Sequence, residues 1–113
     1  MGEAELSVVK GTLDVLVLKA LGEGPLHGFQ ITRWLEDRSG GELAVEDSAV
    51  YQALYRMEER GLVEPEWGVT ENNRRARYYG LTKRGRAHLR DETRRMLRYT
   101  EVLAVVLGGI ARR

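Results

Sequence analysis

The segment 61–82 constrains the fold of this 113-residue chain more than any other. It opens with Gly-Leu-Val, ends with a run of strand-forming residues, and has a polar centre. Asn72 and Asn73 tolerate the left-handed backbone conformations that turns require. We therefore predict a β-hairpin whose return strand covers 75–81 and whose exposed loop covers 68–73.

The tip of this hairpin is cationic. Arg74, Arg75 and Arg77 cluster there, and guanidinium groups suit either a narrow minor groove or flanking phosphates. Strand alternation puts Arg75 and Arg77 on the face of Tyr79 and Leu81, so one or both are expected to pack across a strand. Arg74 is then the best candidate for a free contact. The aromatic residues of the segment are predicted to pack within the hairpin: Trp67, Tyr78 and Tyr79.

Two amphipathic helices are predicted near the N-terminus. The first carries an apolar stripe from Leu13 to Leu21, and Val15 and Leu18 outside that stripe predict a neighbour beyond its own domain. The second covers about 27–38. Its apolar contacts are predicted to come from Phe29, Ile31, Trp34 and Leu35.

A third helix is predicted to begin with an acidic or hydroxyl N-cap within 46–48 and to end before Gly61. One face is apolar, with Val50, Ala53, Leu54 and Met57. The opposite face is polar, with Ser48, Gln52, Tyr55 and Arg56. Gln52 can offer a paired donor and acceptor to adenine, and Arg56 can fork onto guanine or a phosphate. Ser48 and Tyr55 can bond phosphates.

The order of three helices and a hairpin predicts a winged helix-turn-helix, in a mainly α fold with one small β-hairpin, over residues 1–81. In such folds the third helix enters the major groove of duplex DNA, and the hairpin reaches an adjacent groove or the backbone. The predicted DNA-binding residues are Ser48, Gln52, Tyr55, Arg56, Asn72, Asn73, Arg74, Arg75 and Arg77.

A long helix is predicted after the hairpin, within 82–113. Apolar residues and two threonines recur at alternating spacings of four and three, which is typical of a helix that pairs with another helix. A helix of roughly 40 Å is too long for the small domain to cover, so we predict dimerisation; folding back over its own domain is the alternative. The predicted dimer interface is Leu89, Met96, Tyr99, Thr100, Leu103, Val106, Leu107 and Ile110.

Charge and composition narrow the function. Residues 1–73 hold 6 Lys and Arg against 14 Asp and Glu, whereas residues 74–113 hold 12 against 3. This asymmetry indicates a surface that meets a polyanion, although a solvated basic helix would look the same. There is no cysteine, and no catalytic motif accompanies His27 or His88, so we predict neither an enzyme nor a cofactor or metal site. The apolar run 13–21 is interrupted by charges, which favours a cytoplasmic protein.

These motifs, in this order, resemble those of the PadR family of transcriptional regulators, in its short, mainly helical subgroup. The matching segments are 11–14, 25–31, 50–54, 57–58, 61–62, 66–68, 71–79, 81–82 and 85–86. The resemblance implies a homodimer that binds an inverted-repeat operator in double-stranded DNA, usually as a repressor, through C-terminal helices that form the dimer interface.

A small aromatic effector is a further partner that the resemblance implies for some members. Drug-binding relatives stack the ligand on a tryptophan of the last helix, where this chain has only the aromatic Tyr99. No ligand site is therefore transferred to this chain. Two alternative functions stay open from the sequence: a winged helix that contacts another protein, and a small-molecule sensor built on a dimer cavity.

Overall fold

A computed structural model describes residues 6–109, and within them the fold is mainly α with a small antiparallel sheet, as predicted. The elements follow in the order β1 (Leu6–Ser7), α1 (Leu13–Ala20), a 3-10 turn (Leu21–Glu23), β2 (Leu26–His27), α2 (Gly28–Arg38), β3 (Leu43–Ala44), α3 (Asp47–Glu59), β4 (Val63–Val69), β5 (Arg75–Leu81) and α4 (Lys83–Val106). We call β4, β5 and the loop between them the wing.

The core lies between α1, α2, α3 and the base of the wing. The apolar face of α3 is completely buried, as predicted, because its residues lie at helical spacing against α1 and α2. Val15 and Leu18 of α1 are also buried, and α1 contacts α4, which lies outside the predicted domain 1–81, as well as α2 and α3. Phe29 was expected to pack in the core, yet it is 59% exposed.

The wing is held by a regular antiparallel register that runs from Val63 paired with Leu81 to Val69 paired with Arg75. The return strand has the predicted bounds. The first strand extends to Val69, one residue beyond Gly68, so the loop is shorter than predicted. The ring of Tyr78 lies where a side chain at Gly68 would stand. β2 adds to the other edge of β5, while β1 and β3 form a separate parallel pair.

A helix-ending motif sets where the wing begins. Gly61 has a positive φ of 76°, and the Leu62 N–H donates to the Met57 carbonyl at 2.9 Å. This six-to-one hydrogen bond with a left-handed glycine is the Schellman motif. The chain therefore leaves α3 by a fixed path, and the wing is placed beside that helix.

α4 begins at the predicted cap, Thr82, whose hydroxyl accepts from the Gly85 N–H at 2.9 Å. With 24 residues it is about 36 Å long. Leu89 packs against the core, whereas the residues from Leu97 onward project beyond it. No helix in residues 6–109 is long and apolar enough to cross a membrane.

Candidate nucleic-acid interface

The polar face of α3 is open to solvent. Ser48, Gln52, Tyr55 and Arg56 are all exposed, while Val50 and the other apolar residues hold the opposite face in the core. Glu46 is the N-cap, but its side chain makes no capping hydrogen bond. The sequence thus predicted the exposed face correctly, and the DNA contacts of its residues stay a prediction.

Arg56 is paired with an acidic residue of α1. Its Nη2 donates to Oδ1 of Asp14 at 2.6 Å, and the two side chains are 53% and 30% exposed. A pair this exposed contributes about 0–1 kcal/mol because water and salt screen it. Arg56 can therefore exchange Asp14 for a DNA phosphate at small cost.

Arg77 joins the wing to α3. Its Nη2 donates to Oε2 of Glu58 at 3.1 Å, and its Nη1 donates to the hydroxyl of Tyr79 at 3.0 Å. Tyr79 is buried, and this burial raises the pKa of its hydroxyl although Arg77 acts in the opposite direction. Arg77 therefore contacts its own strand and α3 rather than the facing strand, and it links the wing to α3.

The rest of the wing is exposed. The guanidinium of Arg75 lies 4.5 Å from the ring centroid of Trp67, in a cation–π contact. Asn72, Asn73 and Arg74 stand at the tip, and Asn73 adopts the left-handed conformation that the sequence predicted, with φ of 61°. Trp67 packs on Arg75 of the facing strand, in agreement with the predicted packing within the hairpin, and it is still 59% exposed.

A cleft of about 650 Å³ separates the wing from α2 and α3. Its helical side is aromatic: Phe29 stands edge-on to Tyr51, and Tyr51 lies beside Tyr55 on the exposed face of α3. Gly28 permits this arrangement, since any side chain there would collide with the ring of Tyr51. The cleft therefore lies between the exposed face of α3 and the wing. It is lined by His27, Phe29, Tyr51, Trp67, Thr70, Asn72, Arg74, Arg75, Ala76 and Arg77.

His27 is the N-cap of α2 and lines this cleft. Its Nδ1 accepts from the Gln30 N–H at 3.4 Å, while the Gln30 side chain accepts from the His27 N–H at 3.1 Å, which is a capping box. Burial lowers the pKa of His27, so the ring is neutral near pH 7 and its Nδ1 is free to accept. The His27 side chain thus serves as a local cap of α2.

The far half of α4 presents apolar side chains to solvent. Tyr99 is 62% exposed, Leu103 37%, Val106 74% and Leu107 79%. Thr100 is exposed and Met96 half-buried, whereas Leu89 already packs on the core of its own chain and Ile110 lies outside the described residues. The dimer interface stays a prediction.

Sequence reasoning missed Phe29, Tyr51 and Trp67 as residues of this surface. All three were attributed to packing or left aside, because aromatic side chains are more often buried than exposed. One signal could have identified the exposed wing. Trp67 and Val69 lie on the same face of β4 as the buried Val63, but farther from the core. No group of residues in 6–109 could hold a metal ion.

Three helices and a wing form a winged helix-turn-helix, and a long fourth helix follows it. Residues 17–91 match the Transcriptional regulator PadR-like family. The chain belongs to this family, as the resemblance in its sequence indicated.

Individual relatives are similar over most of this chain. An uncharacterized 37.1 kDa protein of transposon TN4556 from Streptomyces fradiae is 40% identical over 85 residues, which cover 75% of this chain and 23% of that protein. The crystal structure of a PadR family transcriptional regulator from Eggerthella lenta is 28% identical, covers 87% of this chain and 83% of its own, and has a TM-score of 0.72.

Bacillus subtilis PadR in complex with operator DNA is similar in fold. The identity is 23% and the TM-score 0.65, and the match covers 73% of this chain and 46% of that one.

Proposed function

We propose that this protein is a homodimeric, sequence-specific DNA-binding regulator that represses transcription from an inverted-repeat operator. The observation that carries the proposal is the continuous surface made by the exposed polar face of α3, the aromatic cleft and the basic wing. The B. subtilis relative solved with operator DNA supports it by similarity of fold. A cytoplasmic location follows from DNA as the partner.

The exposed residues of α3 suit the major groove. Gln52 can pair both of its amide groups with an adenine edge, and Arg56 can reach a guanine or phosphate once it leaves Asp14. Ser48 and Tyr55 stand on the same face and offer hydroxyls to phosphates. Because the wing follows α3 by a fixed turn, it meets the adjacent groove or backbone.

A second copy of the chain is proposed as the other partner. The exposed apolar residues of α4 repeat at the spacing of a helix pair, and an apolar stripe of this length costs free energy in water. Residues 82–113 would then form the dimerisation unit. Two α3 helices would enter major grooves about 34 Å apart, or a multiple of that distance.

An aromatic effector stays a prediction. An open groove of about 460 Å³ on α4 contains Met96, Tyr99 and Val102. Tyr99 is the aromatic side chain there, and no tryptophan stands beside it.

The decisive test measures binding of the purified protein to duplexes selected from a random-sequence library, against a scrambled duplex of equal length. Selected duplexes should contain an inverted repeat, and affinity should fall steeply with salt. Gln52→Ala should lose about tenfold in affinity for the selected duplex and little for the scrambled one. Recovery of no sequence, or equal affinity for both duplexes at low salt, would refute sequence-specific binding and favour the protein-contact alternative.

A further inference from the structure

The outer half of one wing face is apolar and exposed. At its base this face belongs to the core, where Val63, Tyr79 and Leu81 are buried. Further out on the same face, Trp67 and Val69 are 59% and 61% exposed. This face turns toward α2 and α3 across the cleft, since Trp67 lines the cleft with Tyr51. The exposed indole therefore lies on the side of the proposed DNA surface.

Trp67 holds one arginine in a defined place. The guanidinium of Arg75 lies 4.5 Å from the centroid of the indole ring. A cation–π contact at an exposed site is worth about 0.5–1 kcal/mol, which favours one position of the guanidinium over the indole before it binds a partner. Such a contact leaves the N–H groups at the edge of the guanidinium available to a partner.

The other arginines of this surface are engaged differently. Arg56 is paired with Asp14, and Arg77 with Glu58 and the Tyr79 hydroxyl. Arg74 stands exposed at the tip, and its backbone N–H donates to the Thr70 hydroxyl at 3.2 Å. Among the wing arginines, Arg75 thus combines a favoured orientation with the absence of an ion pair within residues 6–109.

The geometry of duplex DNA gives this arginine a target. When α3 lies in the major groove, one sugar-phosphate strand separates it from the adjacent minor groove, and the cleft between α3 and the wing leaves space for that strand. The minor groove is only about 6 Å wide, and it narrows further in A·T tracts, where its negative potential attracts arginine. A guanidinium fixed on an indole suits this narrow groove.

We propose that Arg75, oriented by Trp67, reads a narrow A·T-rich minor groove beside each half-site. The inference rests on the proposed DNA-binding function and adds a sequence preference to it. Arg75 is the contacting residue, and Trp67 is a positioning residue that acts through it.

The test uses three duplexes that share the selected inverted repeat and differ in the flanking base pairs: A·T, G·C, or inosine paired with cytosine. An I·C pair keeps the major-groove edge of G·C but lacks the amino group in the minor groove, as A·T does. The wild-type protein should bind the A·T and I·C flanks about tenfold more tightly than the G·C flank. Equal affinity for all three, or an I·C flank that binds as weakly as G·C, would overturn the proposal.

Variants separate the roles of the two residues. Arg75→Lys keeps the charge but loses the planar fork, so the flank preference should fall below about threefold while the salt dependence stays unchanged. Trp67→Ala should do the same with the arginine still present, and Trp67→Phe should restore part of the preference because phenylalanine also attracts a cation. Arg74→Lys is the matched control and should keep the full preference.

Each outcome discriminates. If Arg75→Lys or Trp67→Ala retains the wild-type preference, the pair does not read the groove. A general fall in affinity with unchanged preference would assign Trp67 a purely structural role. If the wild-type protein selects no DNA at all, the proposed function itself fails, a result distinct from specific binding that shows no flank preference.

Discussion

Substituting Gly85 by alanine should destabilise the protein, although glycine-to-alanine changes in helices usually stabilise. Gly85 lies in the first turn of α4, and a Cβ atom built there would collide with the backbone carbonyl of Leu62. That carbonyl accepts the Thr82 N–H at 3.1 Å, and the Thr82 hydroxyl donates to the Gly61 carbonyl at 2.7 Å. The collision therefore involves backbone that two hydrogen bonds hold in place.

The expected magnitude combines three terms. Overpacking against immovable atoms costs about 1–3 kcal/mol, and weakening the Thr82 hydrogen bond costs about 1 kcal/mol more. The higher helix propensity of alanine returns about 1 kcal/mol. The free energy of unfolding should fall by about 2 kcal/mol, which lowers the Tm of a domain of this size by about 10 °C.

Thermal unfolding followed by circular dichroism would measure this, at one protein concentration because an oligomer melts in a concentration-dependent way. Gly22→Ala is the matched control: nothing lies within 4 Å of a Cβ at that position. It should leave the Tm unchanged or raise it slightly. A Gly85→Ala protein that melts at or above the wild-type temperature would refute the expectation that the Leu62 carbonyl leaves no room for a methyl group at this position.

Three further results are expected. Leu103→Glu should give a monomer, because it places a charge in each of two facing apolar positions, whereas Leu103→Met should stay dimeric. Size exclusion with light scattering measures the mass. An unchanged mass for Leu103→Glu would show that this part of α4 is not in the interface. Because burial lowers the pKa of His27, the unfolded chain binds the proton more readily than the folded one does. The free energy of unfolding should therefore be at its full value above pH 6.5 and decrease as the pH falls below it. Melting curves of the wild-type protein and of His27→Asn, which keeps a cap, would check this. An equal decline in both proteins would show that a group other than His27 causes the pH dependence. Glu58→Gln should cost only about 0.5 kcal/mol, because its pair with Arg77 is partly exposed. The substitution should also release Arg77 to bind DNA phosphates, which would steepen the log–log slope of DNA affinity against salt by up to about 0.9. An unchanged slope would show that Arg77 stays on the Tyr79 hydroxyl and α3.

Much of the fold was accessible from local patterns. The return strand 75–81, the Thr82 cap, the left-handed Asn73 and the buried face of α3 were all predicted, because each depends on a residue and its near neighbours in sequence. Helical and strand periodicities report which face is apolar. They do not report how much of that face another element covers.

That limit applies at two places in the chain. Val15 and Leu18 form a second apolar face on α1, and periodicity alone does not report that α4 packs on this helix together with α2 and α3. Phe29 was expected among the apolar contacts of α2 but is exposed, because it lies off the buried stripe that contains Ile31 and Leu35.

The sequence by itself determined which residues form the helices and the wing, and which face of α3 is polar, since these follow from local conformational preference and periodicity. Only the tertiary structure decided which charged groups are free. Asp14 meets Arg56 across 42 positions of the chain, and Glu58 meets Arg77 across 19. An ion pair depends on distance in space, which periodicity along one element does not contain. The same holds for Trp67 and Arg75, whose contact depends on the register of two strands.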